Sequence, residues 1–117
     1  MVEVRLPGIE KAEVSEAKIV KYLLSTTHRA GKSKAIFFME FGFDPRRWEE
    51  LAIALKEHAI ENEITHEEKT IFGTRYVIEG LLKAPDGRRL NVRTAWFLDD
   101  DAEVPRFITA HPLKRRR

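Results

Sequence analysis

The chain contains no cysteine. A disulfide framework, a thiolate nucleophile and a cysteine zinc site are excluded together. No apolar run approaches the ~20 residues that a membrane-spanning helix needs, so no membrane partner is expected. The first residues, MVEVRLPGIEKAEV, lack a basic segment followed by an apolar one, and no secretory leader is read from them. A cytoplasmic location is expected, with carriage on a larger exported toxin left open. The sequence also lacks a glycine-rich phosphate loop, a G-x-S-x-G elbow and a dinucleotide fingerprint, so no cofactor is expected. Low-complexity tracts and internal repeats are absent as well.

What remains is an ordinary globular composition. Of 117 residues, 43% are apolar and 34% charged, enough for one domain with a modest core. We read a single α+β domain over 1–113 and a basic tail over 114–117. The formal charge of +2 is a property of that tail. Without Lys114, Arg115, Arg116 and Arg117, 17 basic residues face 19 acidic ones, a body charge of −2. Such a body does not bind polyanions over its whole surface. A polyanion site has to be local, and two patches qualify: Arg29/Lys32/Lys34 and Arg88/Arg89/Arg93. The run Asp99-Asp100-Asp101 with Glu103 reads as a solvated acidic loop.

Periodicity divides the chain into a helical half and a strand half. Ser15 can cap a helix over Glu16 to Leu24 that buries Val20, Leu23 and Leu24. A second helix is expected from near Ser33 to Phe41, apolar nearly all round and ended by Gly42. Asp44 then caps a third, with Pro45 at its first position and an apolar stripe of Trp48, Leu51, Ala52, Leu55 and Ala59. Strands follow at Glu63 to Glu68, Thr74 to Lys83, Leu90 to Leu98 and Arg106 to Ala110. The turn APDGRR joins the middle pair. The expected architecture is about three helices and then a four-stranded antiparallel meander.

Chemistry concentrates in two places. The joint Ser25 to Lys34, STTHRAGKSK, carries His28, Arg29, Lys32 and Lys34 and no acid. A helix start there would add free backbone N–H groups and a positive dipole end, suited to a phosphodiester. His28 would move a proton near neutral pH. On spacing alone a plain polar joint stands first, with Ser33 as a cap and the lysines in solvent. The second place is the sheet. Arg93 lies opposite the apolar face of its strand, and Thr109 and His111 share a side of the last strand. If those strands pair, the three meet on one surface, where arginine offers a planar fork to phosphate. An ordinary solvent-facing sheet is the equal alternative. Arg75 joins Arg29, Lys32 and His111 as a substrate-binding candidate. Tyr76 reads as core. His58 and Glu61 have the spacing of half a metal site, but His58 borders the apolar stripe, and no metal is expected. His66-Glu67-Glu68 lies in a strand, where neighbours face opposite ways.

The segments KIVKYLLSTTHRAGKSKAIFFMEFGF, WEELAIALKEHA, FGTRYVIEGLLKAPDGRRLNVRTAWF and VPRFITAHP together resemble a family of small uncharacterised bacterial and archaeal domains. The resemblance runs from roughly Leu6 to Pro112. Its members occur alone and at the C-terminal ends of larger toxin-like proteins. The order of elements also resembles, more loosely, the barnase/EndoU/colicin/RelE-like ribonuclease superfold. That resemblance implies metal-free RNA cleavage with His28, Lys34, Arg93 and Thr109 as catalytic groups and RNA as partner. The competing expectation is a non-catalytic interaction module, an immunity or antitoxin protein or accessory subunit, with a cognate protein partner. The excess of acids in the body suits it, because an inhibitor can cover a basic nuclease site. A nucleic-acid binder without catalysis ranks third, since the body carries no net positive charge.

Overall fold

A computed structural model of the chain describes residues 4–25 and 32–113, with the side chains of Lys32 and Ser33 outside the description. His28 and Arg29, and the basic tail, lie outside the described residues. Three helices precede a four-stranded sheet: α1 (Glu16–Lys18), α2 (Lys32–Glu40) and α3 (Trp48–Glu61), then β1 (Ile64–Lys69), β2 (Gly73–Lys83), β3 (Arg89–Asp99) and β4 (Arg106–Pro112). The strands run antiparallel in the order β1-β2-β3-β4. The fold is α+β, with its helices first.

The capping chemistry explains where helices begin. Ser15 Oγ accepts from the Lys18 amide at 3.2 Å, and Asp44 Oδ1 accepts from the Arg46 amide at 2.8 Å. Pro45 opens a short 3-10 turn over Pro45–Arg47 that feeds α3. Gly42, at φ 102°, turns the chain out of α2 through the left-handed region. Gly87, at φ 92°, does the same for the β2–β3 hairpin.

Two helices differ from their expected form. The expected helix from Glu16 to Leu24 is helical only over Glu16–Lys18, and a π turn follows over Ile19–Leu23. The Leu24 amide reaches back five residues to the Ile19 carbonyl at 2.7 Å. The wider turn buries Ile19 and leaves Val20 and Tyr22 half-buried, with Tyr22 packed against the edge of the core. On α3 the buried stripe is Leu51, Ala54, Leu55, His58 and Ala59, while Trp48 and Ala52 sit half-buried at its edge. An arm at the N-terminus adds Leu6, Ile9, Ala12 and Val14 to the core. No periodic signal marks that arm, because each residue docks separately.

The helices cover one face of the sheet. Trp96, Ile78, Val92 and Leu82 meet Leu51, Leu55, Phe38 and Leu23 in the core, all essentially solvent-free. Burying each such side chain contributes roughly 1.5–3 kcal/mol. The other face of the sheet carries no helix-packed apolar layer. Its alternate positions hold Arg75, Val77 and Glu79 of β2, Arg93 and Ala95 of β3, and Thr109 and His111 of β4, with Val77 and Ala95 buried among the longer side chains.

A β-bulge makes that assignment possible on β4. Thr94 pairs with Ala110 and Ala95 with Thr109, but Trp96 pairs with Phe107, so Ile108 is the extra residue. Phe107 and Ala110 therefore both enter the core. Thr109 and His111 both take the uncovered face.

His58 corrects its expected place at the margin of the stripe: it is 1% exposed. Its Nε2 lies 3.0 Å from the Val92 carbonyl and 3.2 Å from the Gly80 carbonyl. Carbonyls only accept, so Nε2 carries the proton and Nδ1 is the acceptor, facing Thr94 Oγ1 at 3.4 Å. Trp96 Nε1 donates to the same hydroxyl at 3.0 Å. Every polar atom of this core network is partnered, which is the condition for burying it.

Burial pulls the His58 imidazole below its ordinary value, and its carbonyl partners and Glu61 offset this only in part. The unfolded chain binds the proton at about pH 6.5, while the folded protein resists it to lower pH. Stability is therefore retained above that value and lost as pH falls below it, at up to about 1.4 kcal/mol per pH unit. Urea unfolding at about pH 7 and about pH 5.5 should show this loss. The His58→Gln variant, which keeps the donor to Val92, should show a shallower loss. An unchanged slope in that variant counts against the assignment.

Candidate functional site

Where α1 and its π turn, α2 and β4 meet, three polar side chains close on one another. Lys34 Nζ donates to Tyr22 Oη at 2.7 Å and to Thr109 Oγ1 at 3.1 Å. The two hydroxyls are themselves 3.2 Å apart. The Lys34 ammonium also lies 4.9 Å from the centre of the Tyr22 ring. Lys18, one turn before Tyr22, donates to the Ile108 carbonyl at 3.1 Å, at the bulge. Each member has a structural reason for its position. The π turn aims Tyr22, the bulge turns Thr109, and α2 is anchored by Phe38 in the core so that Lys34 projects along the β4 edge.

His111 lies two residues beyond Thr109 on the same face, directly across from Arg93 in the β3–β4 register. Partial desolvation of its ring holds the imidazole below its ordinary value, and the charges of Lys34, Arg93 and Arg75 push it the same way. The side chain nonetheless keeps an exposed surface. The ring is thus open to a ligand yet disposed to stay neutral. Arg93 is held by Glu79, its cross-strand neighbour, with Nε and Nη2 both 2.7 Å from Oε2. Arg75 has no carboxylate within ion-pair distance among the described residues. A shallow cavity of about 410 Å³ on this face lies between Arg75, Glu79, Arg93 and His66.

Tyr22 has two opposed influences. Partial burial raises its phenol, but hydrogen bonds to Lys34 and Thr109 and the charges of Lys34 and Lys18 outweigh it and leave the phenol below its ordinary value. The arrangement therefore holds an imidazole kept in its neutral form, which can act as a base, a phenol–ammonium pair able to release a proton, and cations suited to a phosphate.

The sheet brings Lys34, Arg75, Arg93, Thr109 and His111 into one region. His28, Arg29 and the Lys32 side chain fall outside the described residues, as does any cap of α2. The expected Arg88/Arg89/Arg93 patch is divided. Arg88 pairs with Asp86 at 2.7 Å, donates to the Glu40 carbonyl at 3.0 Å and covers the Phe41 ring at 4.2 Å. It is a clamp between the hairpin and the end of α2, and only Arg89 and Arg93 remain for a ligand. Asp99 likewise leaves the expected acidic loop and pairs with Arg106 at 2.9 Å. Among the described residues, no group of three His, Asp or Glu side chains stands close enough to hold a metal ion.

Tyr22, Lys18 and Glu79 were not singled out by sequence reasoning, and His66 was weighed only as part of a metal chelate. Lys18 and Tyr22 did carry a signal, since they sit four apart and off the buried side of the first helix. Glu79 and Arg93 become neighbours only through strand register, which no local pattern reveals.

The chain belongs to the family described as a domain of unknown function, DUF6883, whose model matches residues 5–114. No curated protein and no solved structure matches it. No helix among the described residues is long and apolar enough to cross a membrane.

Two titrations test the geometry. Replacing Arg93 with Gln removes one of the charges that depress His111, so its imidazole pKa should rise in an NMR titration. Replacing Lys34 with Gln should raise the Tyr22 phenol, read from the phenolate absorbance against a Tyr22→Phe control. Unmoved titrations would show that these groups do not share one electrostatic site.

Proposed function

We propose that the protein is a small metal-independent endoribonuclease, toxin-like in type, that cuts RNA by attack of the RNA's own 2′-hydroxyl. The observation that carries this reading is the convergence of Lys34, Arg93 and Arg75 on a histidine inclined to stay neutral. Helices followed by a four-stranded antiparallel meander also match the element order of the ribonuclease superfold, which supports the reading by analogy of fold alone.

The roles follow from the chemistry of each group. Neutral His111 takes the proton of the 2′-hydroxyl as the O2′–P bond forms. Arg93, Arg75 and Lys34 offset the negative charge that gathers on the phosphorane oxygens. The P–O5′ bond then breaks, and O5′ takes a proton from the Tyr22–Lys34 pair. Thr109 holds that pair in place through its hydroxyl. The products are a 2′,3′-cyclic phosphate and a 5′-hydroxyl end, and solvent restores both proton-transfer groups. His111 thereby takes a proton-transfer role of the kind the sequence reading placed on His28, which lies outside the described residues.

A second reading draws on a separate observation. Ile71 and Phe72, at the β1–β2 turn, are 86% and 73% exposed. An exposed apolar turn tip offers a contact for a partner, which suits an immunity, antitoxin or accessory protein with a cognate partner. Expression separates the two readings. A ribonuclease toxin arrests its host, and the His111→Ala variant relieves the arrest.

Mixed tRNA and mRNA incubated in EDTA should yield cyclic phosphate ends. His111→Ala should slow cutting by at least ~100-fold. The rate should rise with pH through a point below the ordinary histidine value of ~6.5, because the base must be neutral. It should fall again at a point below the ordinary phenol value of ~10, as the acid is lost. No cyclic ends, or full activity in His111→Ala, sinks the assignment.

A further inference from the structure

Next to the cationic site lies a groove of about 810 Å³ with a different character. Phe37, Phe41, Leu81 and Leu113 make its apolar lining, and Arg89 and Asn91 its polar edge. It continues the site along every element. Phe37 of α2 stands three residues after Lys34 on the same side of the helix, and Phe41 follows in the turn just past the helix end. On the sheet Asn91 stands two positions from Arg93 and Leu81 two from Glu79, and so on the same face, while Leu113 follows directly after β4, two residues past His111. Leu81 and Asn91 are themselves cross-strand partners, and the Leu113 amide donates to the Asn91 carbonyl at 2.9 Å. The chain thus stacks an apolar, aromatic rung on a cationic one, about 7 Å apart along the strands.

Leu81 is 51% exposed on a face otherwise dominated by charge. Among the described residues no apolar layer closes over it. Arg88 already lies over the Phe41 ring, so the open apolar surface belongs chiefly to Phe37, Leu81 and Leu113. Arg89 has no carboxylate partner among the described residues. The groove therefore combines a flat apolar wall, an amide able to both donate and accept, and an uncommitted cation, one step from groups suited to a phosphate.

We propose that this groove is a nucleobase subsite, which holds the base next to the scissile phosphate and limits the substrate to single-stranded RNA. The proposal rests on the ribonuclease reading and deepens it. A paired base has its faces stacked on neighbours and its edge bonded to a partner. Only an unpaired base can lay a face on Phe37 and Leu81 while its edge meets Asn91. Arg89 then meets the phosphate on the far side of that nucleotide.

The test uses binding, so it does not depend on cleavage. The probe is a fluorescent single-stranded oligonucleotide with 2′-deoxy sugars, which cannot react by 2′-hydroxyl attack. It is compared with an abasic oligonucleotide of the same length and charge. The intact probe should bind about tenfold or more tightly than the abasic one. Leu81→Ser and Asn91→Ala should remove most of that difference and leave abasic binding unchanged. Leu81 is exposed, so its replacement does not threaten the fold, and a wild-type urea midpoint confirms this. Equal binding of the two probes, no binding of either, or equal weakening of both by Leu81→Ser overturns the subsite. Base-dependent binding without any RNA cleavage keeps the subsite and removes the ribonuclease reading. Cleavage without base dependence does the reverse.

Discussion

The position of Lys34 is the constraint on which the rest of the site depends. Its ammonium is half-buried between two helical segments and the edge strand, and its partners among the described residues are hydroxyls and an aromatic face. Hydroxyl dipoles stabilise a cation less than a carboxylate does, and they leave its charge uncancelled. The fold tolerates this because the anchoring is apolar: Phe38 and Ala35 on α2 are fully buried. The cation stays where the helix puts it, and its field extends to His111. A carboxylate at Tyr22 or Thr109 would hold Lys34 as firmly and abolish that field.

Two local irregularities supply the remaining alignment. The π turn at Ile19–Leu23 and the bulge at Ile108 each insert one residue into a regular repeat. The first sets Tyr22 at the edge of the core with its hydroxyl at Thr109, and the second puts Thr109 and His111 on the face opposite the core. Lys18 joins the two, because its ammonium meets the Ile108 carbonyl that the bulge releases from the ladder. Irregular backbone next to a polar cluster is where such devices recur, since they re-aim a side chain without altering the core.

These irregularities also mark the limit of what the sequence discloses. Strand and helix identities follow from period and caps: Asp44-Pro45, Gly42 and APDGRR act locally, and the structure uses all three. The α3 stripe was legible apart from its exact rotation. His58 was misplaced because a histidine on an apolar stripe ordinarily marks its margin. Here Thr94 and two backbone carbonyls satisfy the ring, and those partners lie more than twenty residues away in the chain. The grouping of Arg93, Thr109 and His111 was legible from strand alternation, given pairing of the last two strands. Tyr22 was not, because a π turn leaves no compositional trace. The neutralising role of Glu79 was not, because register is a property of the assembled sheet.

Glu79 explains how a cationic face can exist on a body with excess acid. It screens Arg93 in the absence of ligand, while Asp86 and Asp99 occupy Arg88 and Arg106 in structural pairs. Of the arginines facing the open sheet, Arg75 and Arg89 are left unscreened by carboxylates among the described residues. They lie on opposite sides of the Arg93–His111 rung, one towards each end of the face. An anionic polymer laid along the strands would meet an unscreened cation at either end and a screened one in the middle. Only at the middle must it displace a carboxylate. That displacement places the cost of binding at the rung that holds His111. On the ribonuclease reading proposed above, an extended polyanion that engages both ends would be favoured over a single small anion at the centre, so the charge pattern fits a chain-like ligand at the rung where the imidazole stands.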